Sequence, residues 1–186
     1  MWQELRGNKV MELDPKPKTV YSSIQKTLTF HPATNNKVFL LSQLSQNMED
    51  ACRKARHYKL VPKKISIFLK TQNFEYHNCS ILLPVPTNTP EVIMSLIEEQ
   101  FKKIHKLKIL YRTTGVILEN LVSDSVTQND LFGKSEKASK FETIHKQIDS
   151  LENKFGKRVV YLASTHKALK HERKGTDSKD LGRDLL

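Results

Sequence analysis

The sequence predicts an α+β domain of order β-α-β-β-α-β, a four-stranded antiparallel sheet with two helices on one face. Three observations predict it: alternating apolar residues in four β-prone segments, apolar residues at three- and four-residue spacing in two segments between them, and start and stop signals at the joints. At 186 residues the chain holds one such domain and a smaller appendage.

The first strand is expected from Tyr21 to Phe30, with Ile24, Leu28 and Phe30 at even spacing and His31-Pro32 ending it. From Lys37 to His57, Leu41, Leu44, Met48, Ala51, Cys52 and Ala55 recur at three and four, while Gln43, Gln46, Glu49, Asp50, Arg53 and Lys54 fill the other face. That is an amphipathic helix. In KKISIFLKTQNF, Ile65, Ile67 and Leu69 alternate with Ser66, Phe68 and Lys70, so the second strand buries one face and offers the other. Asn73-Phe74-Glu75 suits a hairpin into a third strand, Tyr76 to Pro84. Thr89-Pro90-Glu91 marks the next helix start, and Val92, Ile93, Leu96, Ile97, Phe101 and Ile104 make its apolar face. The last strand is read from Lys106 to Leu121, with Gly115 marking a bulge or a close backbone approach.

Charge is uneven. The net charge is +11, and residues 16–121 carry 16 basic against 7 acidic side chains. An excess of that size on one compact block favours a polyanionic partner through phosphate neutralisation and counterion release. No apolar run could cross a bilayer, the first residues are no secretory signal, and two cysteines make no disulfide framework. The expectation is a cytoplasmic, nucleoid-associated monomer without a membrane partner. The strands carry small polar and basic residues suited to phosphate oxygens: Ser22, Ser23, Gln25, Lys26, Thr27 and Thr29 on the first, Ser66, Lys70 and Gln72 on the second, Arg112, Thr113 and Thr114 on the last. An RNA-binding βαββαβ module would place stacking aromatics on its third strand in a glycine-containing pattern, where this sequence has only Tyr76 and no glycine.

The strings WQELRG, SIQKTLTF, ISIFLKTQNF and YRTTGVILENL, in that order, resemble the C-terminal part of a Y-family translesion DNA polymerase of the DinB/UmuC type. The resemblance implies that residues 1–15 end a thumb domain and that 16–122 form a little finger domain holding primer-template duplex. It also implies a parent enzyme of DNA repair and the SOS response that acts on damaged DNA. On that pattern Ser23, Lys26, Thr27, Lys70 and Arg112 touch the DNA backbone. Thr113-Thr114 stands where many members have Leu-Leu, and Leu28 separates the threonines of KTLTF.

Residues 123–139 read as a linker. Within it Gln128, Asn129, Asp130, Leu131 and Phe132 set two apolar side chains in a hydrophilic stretch and resemble the peptide by which bacterial polymerases bind their sliding clamp. Residues 140–163 read as a helix and a strand: Ser139 and Glu142 make a capping box, Phe141, Ile144, Ile148, Leu151 and Phe155 a stripe ending at Gly156, and RVVYLA a strand. Residues 164–186 have little periodicity and are expected to be disordered.

Catalytic chemistry is not visible. The pairs Glu49-Asp50 and Glu98-Glu99 read as solvent-facing helix residues, the seven histidines show no zinc spacing, Cys52 and Cys79 read as buried structural thiols, and no phosphate loop occurs. No catalytic residue, metal ligand or cofactor is therefore expected in this chain, and Mg2+ would belong to the parent polymerase's palm. The rival expectation is a protein adaptor acting through QNDLF and the tail.

Overall fold

The computed structural model describes residues 2–10, 21–126, 135–156 and 158–171. After a short helix α1 (Trp2–Leu5), the elements run β1 (Ser23–Thr34), α2 (Lys37–His57), β2 (Leu60–Thr71), β3 (Tyr76–Leu82), α3 (Pro90–Ile104), β4 (Tyr111–Ser123) and α4 (Ser135–Phe155). The four strands form one antiparallel sheet in the order β1-β4-β2-β3. Each helix links two parallel strands separated by one antiparallel neighbour, so α2 and α3 lie on the same side. β3, the strand on which an RNA module was tested, is an edge.

Two expected ends move. β1 continues past His31-Pro32 to Thr34, because a register irregularity between Thr29 and Thr34 absorbs the proline, which has no N–H to give the ladder. β4 begins at Tyr111 rather than Lys106, since Lys106 to Leu110 turn over the end of α3, where the Lys106 amide donates to the Tyr111 hydroxyl.

α2 starts where Asn36 accepts hydrogen bonds from the amides of Val38 and Phe39, both at 3.1 Å. α3 starts at Pro90, where a missing N–H costs nothing, although the Thr89 hydroxyl makes no cap bond. Between helices and sheet lies the core, with Ile24, Phe30, Leu40, Leu44, Met48, Ile65, Ile67, Leu69, Ile93, Ile97, Phe101 and Leu118 buried together. Each such side chain contributes about 1.5–3 kcal/mol by leaving water. Cys52 belongs to this core and burial pushes its thiol up to about 12, whereas Cys79 is only half-buried, beside the Gln100 side chain.

The far side of α2 overturns the reading of a solvated face. Ser42 and Ser45 are buried, because residues 158–171 lie across α2. The expected strand RVVYLA is instead irregular chain leading into a 3-10 turn, Ala163–Thr165, and residues 166–171 are helical rather than disordered. Ala168 and Leu169 are buried there. The reason is hydrogen bonding that apolar periodicity does not register: the Ala168 amide donates to Ser42 Oγ, Ser45 pairs with Ser164 and Thr165, and Glu49 accepts from the Leu162 amide and the Thr165 hydroxyl. α4 begins at Ser135, ahead of the expected capping box, and is held by charge rather than by its apolar stripe. Arg56 grips Asp149 through two bonds of 2.7 Å, Arg53 meets Glu152, and His145 meets Glu91, while Ile144, Leu151 and Phe155 stay exposed.

Glu49 and Asp50 are thus docking points for the tail. Burial pushes the Glu49 carboxyl up to about 7, outweighing the Leu162 and Thr165 bonds that lower it. A carboxyl raised in the folded state favours folding at low pH, and that contribution is lost as pH rises between the ordinary 4.5 and about 7. Glu49→Gln keeps an acceptor without the charge. It is expected to match the wild type in thermal melts near the lower limit and to gain on the order of 2 kcal/mol at about pH 8. Parallel pH profiles for the two proteins would contradict this.

Candidate nucleic-acid interface

One face of the sheet carries α2 and α3, and the other is open. Alternation along each strand decides which side chains face outward. They are Ser23, Gln25, Thr27 and Thr29 on β1; Lys64, Ser66, Phe68 and Lys70 on β2; Tyr76, Asn78, Ser80 and Leu82 on β3; and Thr113, Gly115, Ile117 and Glu119 on β4, matched across the ladders as Thr29↔Thr113↔Lys70↔Tyr76 and Thr27↔Gly115↔Phe68↔Asn78.

Of the twelve residues the sequence put forward, Ser23, Gln25, Thr27 and Thr29 are exposed on this face, Ser66 is half-buried on it, and Lys70 and Arg112 sit half-exposed at its hairpin end, where Gln72 is exposed in the loop. Thr113 is nearly buried and its hydroxyl lies 2.9 Å from that of Thr29. Ser22 is exposed but precedes the strand. Two placements are corrected. Lys26 pairs with the core residue Val116 and shares the parity of Ile24 and Phe30, so it faces the helix layer, half-buried. Thr114 is fully buried beneath α2, where the Asn47 amide donates to its carbonyl and hydroxyl oxygens at 3.1 Å. Residues 128–132, the QNDLF segment, lie outside the described residues.

Arg112 reaches the open side because β4 has an extra residue here: Lys70 pairs with Thr113 and Thr71 with Tyr111, leaving Arg112 between them. Its guanidinium carbon lies 4.8 Å from the Phe74 ring centre, and Lys70 Nζ lies 4.8 Å from Phe74 and 5.0 Å from Tyr76. Further along, Gly115 lets the Phe68 ring lie flat on the sheet. A Cβ there would come 2.2 Å from that ring and 2.8 Å from Thr27 Cγ2. Gly115 therefore serves a close approach. At the opposite end, Glu119 accepts hydrogen bonds from Lys64, at 2.8 Å, and from the Ser66 hydroxyl, and these hold its carboxyl below the ordinary range. The one acid of the face is neutralised, and Lys70 and Arg112 are left as its unpaired cations among the described residues.

Residues 21–131 match the model of the impB/mucB/samB family C-terminal domain. The chain belongs to that family. Among curated relatives, DNA polymerase IV of Moorella thermoacetica is 26% identical over 158 residues, 85% of this chain and 39% of that protein. DNA polymerase IV of Caulobacter vibrioides is 27% identical over 155 residues, 83% of this chain and 37% of that protein. The chain thus spans about two fifths of these relatives. A solved complex of the β-clamp processivity factor and the little finger domain of PolIV superposes with a TM-score of 0.43 at 10% identity, covering 60% of this chain and 98% of that one.

In this impB/mucB/samB domain, sequence reading placed Phe68 on the offered side of β2 without naming it as a contact, and it missed Phe74, Asn78 and Ser80 as members of the open face. The signal for Phe68 was present in its alternation with Ile67 and Leu69. Phe74 gave none, since a hairpin loop has no parity. Among the described residues no three His, Cys, Asp or Glu side chains meet at a spacing suited to a metal ion, and no helix is long and apolar enough to cross a membrane.

Proposed function

We propose that this chain is the DNA-gripping C-terminal region of an error-prone lesion-bypass polymerase, with its open sheet face laid along primer-template duplex and the QNDLF segment tethering it to a sliding clamp. The observation that carries this reading is the chemistry of the open face in a member of this family: hydroxyls and an amide from Ser23, Gln25, Thr27 and Thr29 across the β1 edge, cations Lys70 and Arg112 at one end, and no uncompensated acid on its strands, Glu75 lying in the hairpin loop. Such groups bond phosphate oxygens and read no sequence. The grip is therefore expected to be non-specific, which suits a polymerase that must hold damaged templates. Nucleotidyl transfer and the Mg2+ it uses are assigned to parts of the polymerase that this chain does not contribute, and none of its carboxylates is given a role in the step.

Titrating duplex binding against salt tests the grip, because each neutralised phosphate contributes about −0.9 to the log-log slope. A slope near zero removes it. The tether has its own test, immobilised bacterial clamp with Leu131→Ala plus Phe132→Ala. Truncating two apolar anchors is expected to weaken clamp binding at least tenfold, since each such truncation in a filled pocket costs about 1–2 kcal/mol or more, while duplex affinity stays within about twofold. Unchanged clamp binding would refute the tether and leave the grip standing. A tether of this kind raises the local concentration of polymerase at a clamped primer end without strengthening its hold on DNA.

A further inference from the structure

The β2-β3 hairpin contains a residue that packing does not account for. Phe74 has φ +71°, a left-handed conformation that bulky residues rarely adopt. It occupies the position of a three-residue hairpin loop where glycine or asparagine is usual: its amide donates to the Thr71 carbonyl, and the Thr71 amide closes the loop on the Glu75 carbonyl. The strain is not repaid by burial, because the ring is 60% exposed. Tyr76 beside it is 55% exposed, and its ring centre lies 5.5 Å from that of Phe68. Lys70 and Arg112 stand within 5.0 Å of these rings. Strain retained at an exposed aromatic, flanked by two cations on a face otherwise suited to phosphate, is the pattern of a ligand site rather than of a fold requirement.

We infer that Phe74 and Tyr76 form a stacking site for an unpaired nucleobase of single-stranded DNA, with Lys70 and Arg112 engaging its phosphates. Every base has a π face, so the site is indifferent to sequence, and its two cations complement the charge of the strand. It adds a single-strand element to the duplex grip and rests on that reading only for where along the DNA the unpaired base lies. The rest of the open face has hydroxyls but no exposed ring other than Tyr76 among the described residues, which confines the stacking to the hairpin end.

The test measures binding of the full chain to a labelled oligothymidylate, to an oligomer of equal length made of abasic sites, and to a blunt duplex. The wild type is expected to prefer the oligothymidylate to the abasic strand. Phe74→Gly, which relieves the left-handed strain, is expected to weaken oligothymidylate binding about tenfold, the effect of losing one base-aromatic stack, while the abasic and duplex affinities stay within about twofold and the melting temperature rises. Phe74→Trp should retain the preference. Equal wild-type affinity for the thymidylate and abasic strands overturns the inference, as does equal weakening of all three ligands by Phe74→Gly. If the wild type shows the base-dependent preference but no duplex binding, the stacking site stands and the duplex grip fails.

Discussion

Reversing two charges, Lys70→Glu and Arg112→Glu together, is expected to weaken primer-template duplex binding at least tenfold at moderate salt and to make the log-log salt slope shallower by about two. Both numbers follow from the same physics. Each cation seated on a phosphate releases condensed counterions worth about 0.9 of slope, and a carboxylate in its place adds repulsion. The structure supplies the control. Lys26 has the same charge and lies on the neighbouring sequence motif, but it pairs with Val116 and faces the helix layer. Lys26→Glu is therefore expected to change duplex affinity less than about twofold. Equal losses from the two substitutions would mean that binding follows net charge alone, and the open face would lose its special standing.

The second large effect concerns stability. Gly115→Ala places a methyl group 2.2 Å from the Phe68 ring, so the ring must leave the sheet surface on which it is now 91% buried or the strands must part. Exposing a phenylalanine, or straining the sheet to keep it, costs about 1–3 kcal/mol, and a chemical denaturation series would measure this. The same substitution in a Phe68→Ala background should be neutral or stabilising, since the clash is gone and glycine is a poor strand residue. A double-mutant cycle thus gives a coupling of about 1–3 kcal/mol between positions 68 and 115. Additive effects would show that the close approach is not what glycine is there for. The displaced ring would also disturb Tyr76, its neighbour at 5.5 Å, so weakened oligothymidylate binding is expected in Gly115→Ala alongside the lost stability.

Much of the fold was legible in the residues because periodicity reports apolar contact directly. The run from Lys37 to His57 predicted a helix of the length observed, the alternation of Ile65, Ile67 and Leu69 named the buried face of β2, and Gly115 was marked for a close approach that the Phe68 ring makes. What periodicity does not report is burial secured by hydrogen bonds. Glu49 read as a solvent-facing helix residue and Ser42 and Ser45 carried no apolar signal, yet the tail covers all three, because their side-chain oxygens pair with amides and hydroxyls of the tail. Arg53 likewise read as a solvent-facing charge, while Arg56 and His145 drew no structural reading, until the partners of all three on α3 and α4 are seen.

The sequence by itself determined the order of strands and helices, the buried face of each, the excess of positive charge on one domain and the segments that resemble a lesion-bypass polymerase. Only the tertiary structure decided which polar side chains share a surface. A strand alternates, so one residue's displacement reverses its face: Thr113 lies on the open side and Thr114 beneath α2, and the irregularity beside Lys70 is what brings Arg112 out to the hairpin. The meeting of Lys70, Phe74, Tyr76 and Arg112 depends on that extra residue and on the pairing of β4 with β2, strands some forty residues apart in the chain, and no local pattern encodes a contact at that separation.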